Sequence, residues 1–213
     1  MSDFYFDIEE YILKHSDDED AVLAELNRET NLKILRPRML SGHLQGKILE
    51  MISKMIQPEK ILELGTYTGY SAICLAKGLK KGGKLHTIEI NDELEDFILK
   101  YVDKANCSDK IQLHFGDAKS IIPDLNTQFD LVFIDADKRE YIDYYNIIFD
   151  YVKPGGFILA DNVLWSGKVI ELDTPDDEYT KGIFDFNKLI KNDTRIEKVI
   201  LPLRDGLTLI RKL

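Results

Sequence analysis

The stretch Ile61-Leu62-Glu63-Leu64-Gly65-Thr66-Tyr67-Thr68-Gly69-Tyr70-Ser71 constrains this chain more than any other. A short apolar run without polar alternation reads as a buried strand. Glycine ends it, a second glycine follows four residues later, and Ser71-Ala72-Ile73-Cys74-Leu75-Ala76 then reads as a helix. Strand, glycine turn and helix N-terminus together let backbone approach a ligand closely. Gly65 has no Cβ to hold that ligand off. Glu63 sits inside the motif, where it would repel a phosphate, so the pattern favours a ligand carrying positive charge or hydroxyl groups.

From residue 60 onward the pattern alternates. Strands are expected at 60–64, 84–90, 111–115, 129–134, 157–160, 196–201 and 207–211. Helices fall between them at 69–79, 92–106, 118–123, 139–152 and 178–191. Alternation with short turns predicts an α/β fold, a mostly parallel sheet covered on both faces. The turn Arg204-Asp205-Gly206 is too short for a parallel crossover, so the last strand should run antiparallel. Pro154-Gly155-Gly156 punctuates before the fifth strand. Residues 1–58 read as helices at 4–15 and 18–30, the latter with Asp17 and Asp18 as N-cap candidates, a loop from Thr30 to Arg38, and a helix from Ser41 that Pro58 ends. They form an N-terminal helical cover over the core at 59–213, within a single domain of 1–213.

Composition narrows the functional class. The chain has 213 residues, enough for one domain with a full core, and a formal net charge of −10. That acidic balance disfavours nucleic acid as a partner, because no counterion release is gained. No apolar run approaches the ~20 residues of a membrane span. Met1 to Asp7 lacks the pattern of a signal peptide. Cys74 and Cys107 stand in no metal-ligand or redox spacing and are expected as buried thiols in a reduced, cytoplasmic protein.

In open sheets of this kind ligands sit beyond the carboxyl ends of the strands, at the switch point. The residues expected to converge there are Gly65 to Gly69, Glu89, Asp117, Ala118, Asp135, Asp161 and Asn162. The glycine spacing is G-x-x-x-G, not the G-x-G-x-x-G of a dinucleotide fold, so the pyrophosphate contacts are missing. Glu89 can accept from both ribose hydroxyls, and Gly116-Asp117-Ala118 can meet an adenine edge. This describes a nucleoside pocket without a phosphate clamp, which suits S-adenosylmethionine (SAM). A second constellation is Phe133-Ile134-Asp135-Ala136-Asp137-Lys138 with Leu159-Ala160-Asp161-Asn162. Asp135, Asp161 and the Asn162 amide are hard oxygen ligands that suit Mg²⁺. Lys138 lies at the mouth of the site and could take a substrate hydroxyl proton. Asp137 is read as solvent-facing or as a helix cap.

These motifs resemble the small cation-dependent O-methyltransferases, the group that includes catechol and caffeoyl-CoA O-methyltransferases. Leu62 to Ser71, Ile88-Glu89, Phe133 to Lys138, Ala160 to Gly167 and Asp205-Gly206-Leu207 carry the likeness, from about residue 36 to the C-terminus. The resemblance implies a Rossmann-like class I methyltransferase with a seven-stranded sheet. It implies cofactor contacts at Met39, Glu63, Gly65, Tyr67, Ser71, Glu89, Ala118 and Asp135. It also implies metal ligands Asp135, Asp161 and Asn162 (Mg²⁺, or Mn²⁺ or Ca²⁺), a catalytic base at Lys138 beside Asp135, and a homodimer. Ala136-Asp137 replaces the His-Trp of the mammalian catechol enzyme, whose aromatic gate is absent here. Trp165, the only tryptophan, is placed in an acceptor wall with Lys138, as in the plant enzymes it resembles.

The expected activity is therefore SAM- and metal-dependent O-methylation of a small phenolic substrate, a catechol-like vicinal diphenol. The alternative keeps the reaction and takes a hydroxylated uridine of tRNA, through a local basic patch of Arg36, Arg38 and Lys47. A non-catalytic nucleoside-binding module and an NAD-linked oxidoreductase are weaker readings. The acid–lysine–amide set opposes the first and the glycine spacing the second.

Overall fold

The structure, a computed structural model, describes residues 8, 10–171 and 177–213. Its strands are β1 (Lys60–Leu64), β2 (Lys84–Glu89), β3 (Ile111–Phe115), β4 (Phe129–Ile134), β5 (Val152–Asp161), β6 (Ile196–Leu201) and β7 (Leu207–Lys212). They form one seven-stranded sheet in the order β3-β2-β1-β4-β5-β7-β6. β1 to β5 pair in parallel, and β7 runs antiparallel to both β5 and β6. The predicted fold class and the antiparallel last strand are both observed. The order reverses at β1 and β4, so the carboxyl ends of these two strands open the crevice in which a ligand can sit.

From residue 21 onward the α-helices are α1 (Ala21–Lys33), α2 (Gly42–Ile56), α3 (Tyr70–Ala76), α4 (Glu95–Lys104), α5 (Ala118–Asp124), α6 (Tyr141–Tyr151), α7 (Lys168–Glu171) and α8 (Glu178–Asn192). Strand alternation sorts the core into two layers. Ile61, Leu131, Phe133 and Leu159 point to the side covered by α1 to α4, among Leu26, Leu49, Ile73 and Tyr101. Leu62, Leu64, Val132, Ile134 and Ile158 point to the other side, among Ile122, Tyr145, Ile148 and Phe186. Each such buried Leu, Ile or Phe contributes about 1.5–3 kcal/mol. Glu63 shares its face with Ile61, so this acid is turned into a core layer.

Four local expectations need correction. Asp20, not Asp17 or Asp18, caps α1 by accepting from the Val22 N–H at 2.9 Å, while Asp17 pairs with Lys47. The stretch read as loop from Thr30 is helical to Lys33, with Thr30 fully buried. The fifth strand starts at Val152 and runs through Pro154-Gly155-Gly156, where the pairing with β4 shifts register; proline and glycine are tolerated in a strand at such an irregularity. Residues 10–14 are helical as expected, but the predicted apolar stripe there is not core: Ile8, Tyr11 and Ile12 are exposed, and Phe4 lies outside the described residues. The two cysteines are free and buried, as expected. No helix among the described residues is long and apolar enough to cross a membrane.

Candidate active site

A cleft of about 900 Å³ lies over the carboxyl ends of β1, β2, β4 and β5. Its first wall is the glycine turn. Gly65 sits at φ +93°, and a Cβ there would lie 2.1 Å from the Asp135 carbonyl oxygen. Glycine is thus required because β1 and β4 leave the sheet back to back, in addition to any ligand approach. Tyr67 follows at φ +50°, and its N–H donates to Glu89 Oε2 at 2.7 Å. The Asn91 N–H donates to Glu89 Oε1 at 2.9 Å. Both Glu89 oxygens are thus oriented by backbone and keep lone pairs for vicinal hydroxyls. Ala118 opens α5, whose cap is Asp117 accepting from the Lys119 N–H.

Glu63 is fully buried behind this wall and does not line the cleft. Thr87, its register partner on β2, donates to Oε2 at 2.6 Å, and Oε1 has no hydrogen-bond partner. Burial pushes the carboxyl up to about 8, against the Thr87 hydrogen bond. A buried acid with one unanswered oxygen behind a glycine turn fits a ligand bearing an ammonium group.

The opposite wall holds the acid–lysine set. Ile134 and Ala160 pair across β4 and β5, so Asp135 and Asp161 leave adjacent strand ends. Burial, and then the Asp135 charge, push the Asp161 carboxyl up to about 6. Lys138 lies in a 3₁₀ turn that Asp137 caps, so Asp137 has the capping role expected of it. The Lys138 ammonium donates to Asp135 Oδ1 at 2.6 Å and to the Tyr141 hydroxyl at 2.7 Å. Tyr141 is itself fully buried and reaches the carbonyls of Asp161 at 3.0 Å and Ile134 at 3.2 Å. Asn162 is held at φ +58° beside Asp161. Among the described residues no three His, Cys, Asp or Glu side chains gather at metal-binding range. A cation here would take two carboxylates and a carboxamide, a set of oxygen donors that fits Mg²⁺.

Residues 13–213 match the family described as O-methyltransferase. The chain belongs to that family. It is 36% identical to a caffeoyl-CoA O-methyltransferase of Petroselinum crispum over 96% of this chain and 90% of that one. It is 34% identical to caffeoyl-CoA O-methyltransferase 1 of Arabidopsis thaliana over 97% of this chain and 85% of that one. Among solved structures it resembles the SAH-bound methyltransferase of Podospora anserina, with TM-score 0.91, 27% identity, and coverage of 99% and 96% of the two chains. It also resembles the SAM complex of a Streptomyces achromogenes O-methyltransferase involved in tomaymycin synthesis, with TM-score 0.89, 27% identity, and coverage of 97% and 96%. The protein is a SAM-dependent O-methyltransferase. The family match begins at residue 13, well before the point at which the sequence motifs become legible.

The O-methyltransferase cleft gathers most of the predicted residues. Met39, Gly65, Tyr67, Ser71, Glu89, Ala118, Asp135, Lys138, Asp161, Asn162 and Trp165 all line it, and only Glu63 stands behind. Of the basic patch, Arg36 and Arg38 line the cleft, but Lys47 is turned to Asp17 at 2.7 Å and does not. The Asp205-Gly206 turn clamps the loop that carries Trp165: Leu164 N–H donates to the Asp205 carbonyl at 2.9 Å, and Ser166 N–H to Asp205 Oδ1 at 2.5 Å. Trp165 stacks on Tyr179, centroids 6.3 Å apart, and Arg139 lies over the other ring at 4.7 Å. Sequence reasoning missed Tyr179, Tyr141, Gln45 and Arg204. For Gln45 a signal existed, an amide on the apolar face of α2, one turn before Leu49.

Proposed function

We propose that this enzyme methylates one hydroxyl of a catechol-like vicinal diphenol with a divalent cation, Mg²⁺ by donor type, held by Asp135, Asp161 and Asn162. The observation that carries the reading is the pair of acids at neighbouring strand ends: Asp135 and Asp161 follow the paired residues Ile134 and Ala160, and burial first, then the Asp135 charge, raises the Asp161 carboxyl. Like charges confined beside a carboxamide are what a hard dication neutralises. When bound, such a cation supplies positive charge for two vicinal oxygens and eases ionisation of one.

The chain's own residues do the rest. Lys138 donates through two N–H positions to Asp135 and Tyr141, and once its third proton has left to solvent the lone pair there takes the proton of the acceptor hydroxyl. Glu89 receives the ribose hydroxyls of SAM, and Glu63, buried behind the glycine turn, acts on its ammonium end through the field of its carboxyl from behind that wall. Trp165 and Tyr179 hold the acceptor ring flat. Fixing both reactants in this way contributes orientation more than covalent chemistry. The caffeoyl-CoA relatives support a phenolic acceptor. The family resemblance supports a homodimer, and the buried free thiols a cytoplasmic setting.

The test is transfer from labelled SAM to a panel of vicinal diphenols by wild type and Asp161→Ala. Full activity in metal-stripped Asp161→Ala would end the reading. Label on tRNA carrying a hydroxylated uridine, with none on the diphenols, would favour the alternative acceptor, for which Arg36 and Arg38 at the cleft mouth are the supporting observation.

A further inference from the structure

Asp161 is tied to two segments far from it in the chain. Gln45, 1% exposed on the inner face of α2, donates from Nε2 to Asp161 Oδ2 at 2.6 Å. Its Oε1 accepts from Arg204 Nη1 at 2.5 Å, and the same nitrogen donates to the Ser41 carbonyl. Arginine has donors only, so Oε1 must face Arg204 and the NH₂ must face Asp161. The direction of each bond in the relay is therefore fixed. The second carboxylate oxygen, Oδ1, accepts from the Asn162 N–H at 2.9 Å. Asp161 is gripped at both oxygens by groups that can only donate, which fixes the plane of its carboxylate.

Packing alone gives no reason for an amide at position 45. A buried amide is costly unless bonded, and an aliphatic side chain would fill the same face of α2. We infer that Gln45 is a positioning residue: anchored by Arg204, it sets the orientation in which Asp161 presents itself to the cation, and so couples the N-terminal helical cover and the β6–β7 turn to the metal centre. This rests on the cation reading above. Partners of this kind orient metal ligands, and their loss typically weakens metal affinity by about 10–100-fold.

The test is Mg²⁺ titration by calorimetry into wild type, Gln45→Met and Arg204→Met, with SAM affinity and Tm recorded alongside. Gln45→Met keeps the volume and removes the donor. It should raise the Mg²⁺ Kd by about 10–100-fold. The Mg²⁺ concentration for half-maximal methyl transfer should rise by the same factor, with kcat largely restored at saturating Mg²⁺ and SAM affinity unchanged. Arg204→Met, on an exposed turn, should shift Mg²⁺ affinity in the same direction by a smaller factor, and it serves if Gln45→Met does not fold. Unchanged Mg²⁺ affinity in the folded, SAM-binding variants would overturn the inference while leaving the cation reading intact. Absence of Mg²⁺ binding by wild type would remove both.

Discussion

Tyr141 accepts a hydrogen bond from Lys138 at 2.7 Å while its own hydroxyl lies 3.0 Å from the Asp161 carbonyl. One buried phenol thus joins the proposed base to the strand end that carries a proposed metal ligand. Tyr141→Phe should leave the Lys138 N–H and the Asp161 carbonyl without that partner, at a stability loss of about 1–3 kcal/mol. Chemical denaturation measures the loss. Turnover should fall as well, with SAM affinity retained.

Lys138→Met should remove the proton acceptor and leave the glycine turn intact. The expected loss in kcat is about 10²–10⁴-fold. Equilibrium binding of SAM should change little, since Lys138 faces Asp135 and Tyr141 on the opposite wall from Glu63 and Glu89. Single-turnover kinetics with a catechol separates the two effects.

Glu63 gives a pH signature. Its folded carboxyl titrates at about 8 and its ordinary value is 4.5. A raised folded value means the native state binds the extra proton, so this contribution to stability is full below about 4.5 and is lost as pH rises toward 8. Glu63→Gln should flatten that part of the stability–pH curve, read by denaturation at pH 5.5 and 8.5. An ammonium on the cleft side of the glycine turn favours the charged form of the buried Glu63, so SAM binding at pH 7 should release protons. Calorimetry in buffers of different ionisation enthalpy detects that release, and the variant should lack it.

Gly65→Ala should be among the most damaging single changes. The new methyl would meet the Asp135 carbonyl at 2.1 Å, and the residue would be held at φ +93°. Backbone strain alone costs about 1–3 kcal/mol, and the clash adds to it by pushing β1 from β4. A fall in Tm with loss of SAM binding is the expected result.

Most of the site was legible because it follows one rule. An acid or glycine that directly ends an apolar run, as Gly65, Glu89, Asp135 and Asp161 do, must emerge at the carboxyl edge of a parallel sheet. The illegible residues reach the site from outside that rule. Gln45 comes from a helix face that periodicity assigns to core, and Arg204 from a tight turn. Tyr141 looks like one more aromatic in the apolar stripe of α6. Lys47 misled because composition groups it with Arg36 and Arg38, whereas the turn of α2 carries it round to Asp17. The start of β5 was hidden because Pro154-Gly155-Gly156 reads as a break, and only the register shift against β4 accommodates it.

Methyl transfer from SAM to a catechol, followed through EDTA treatment and Mg²⁺ add-back, bears most directly on the assignment of Asp135, Asp161 and Asn162. Activity should fall by about 10²-fold or more on chelation, in line with loss of several kcal/mol of charge stabilisation, and return with added Mg²⁺. Undiminished turnover in excess EDTA would contradict it.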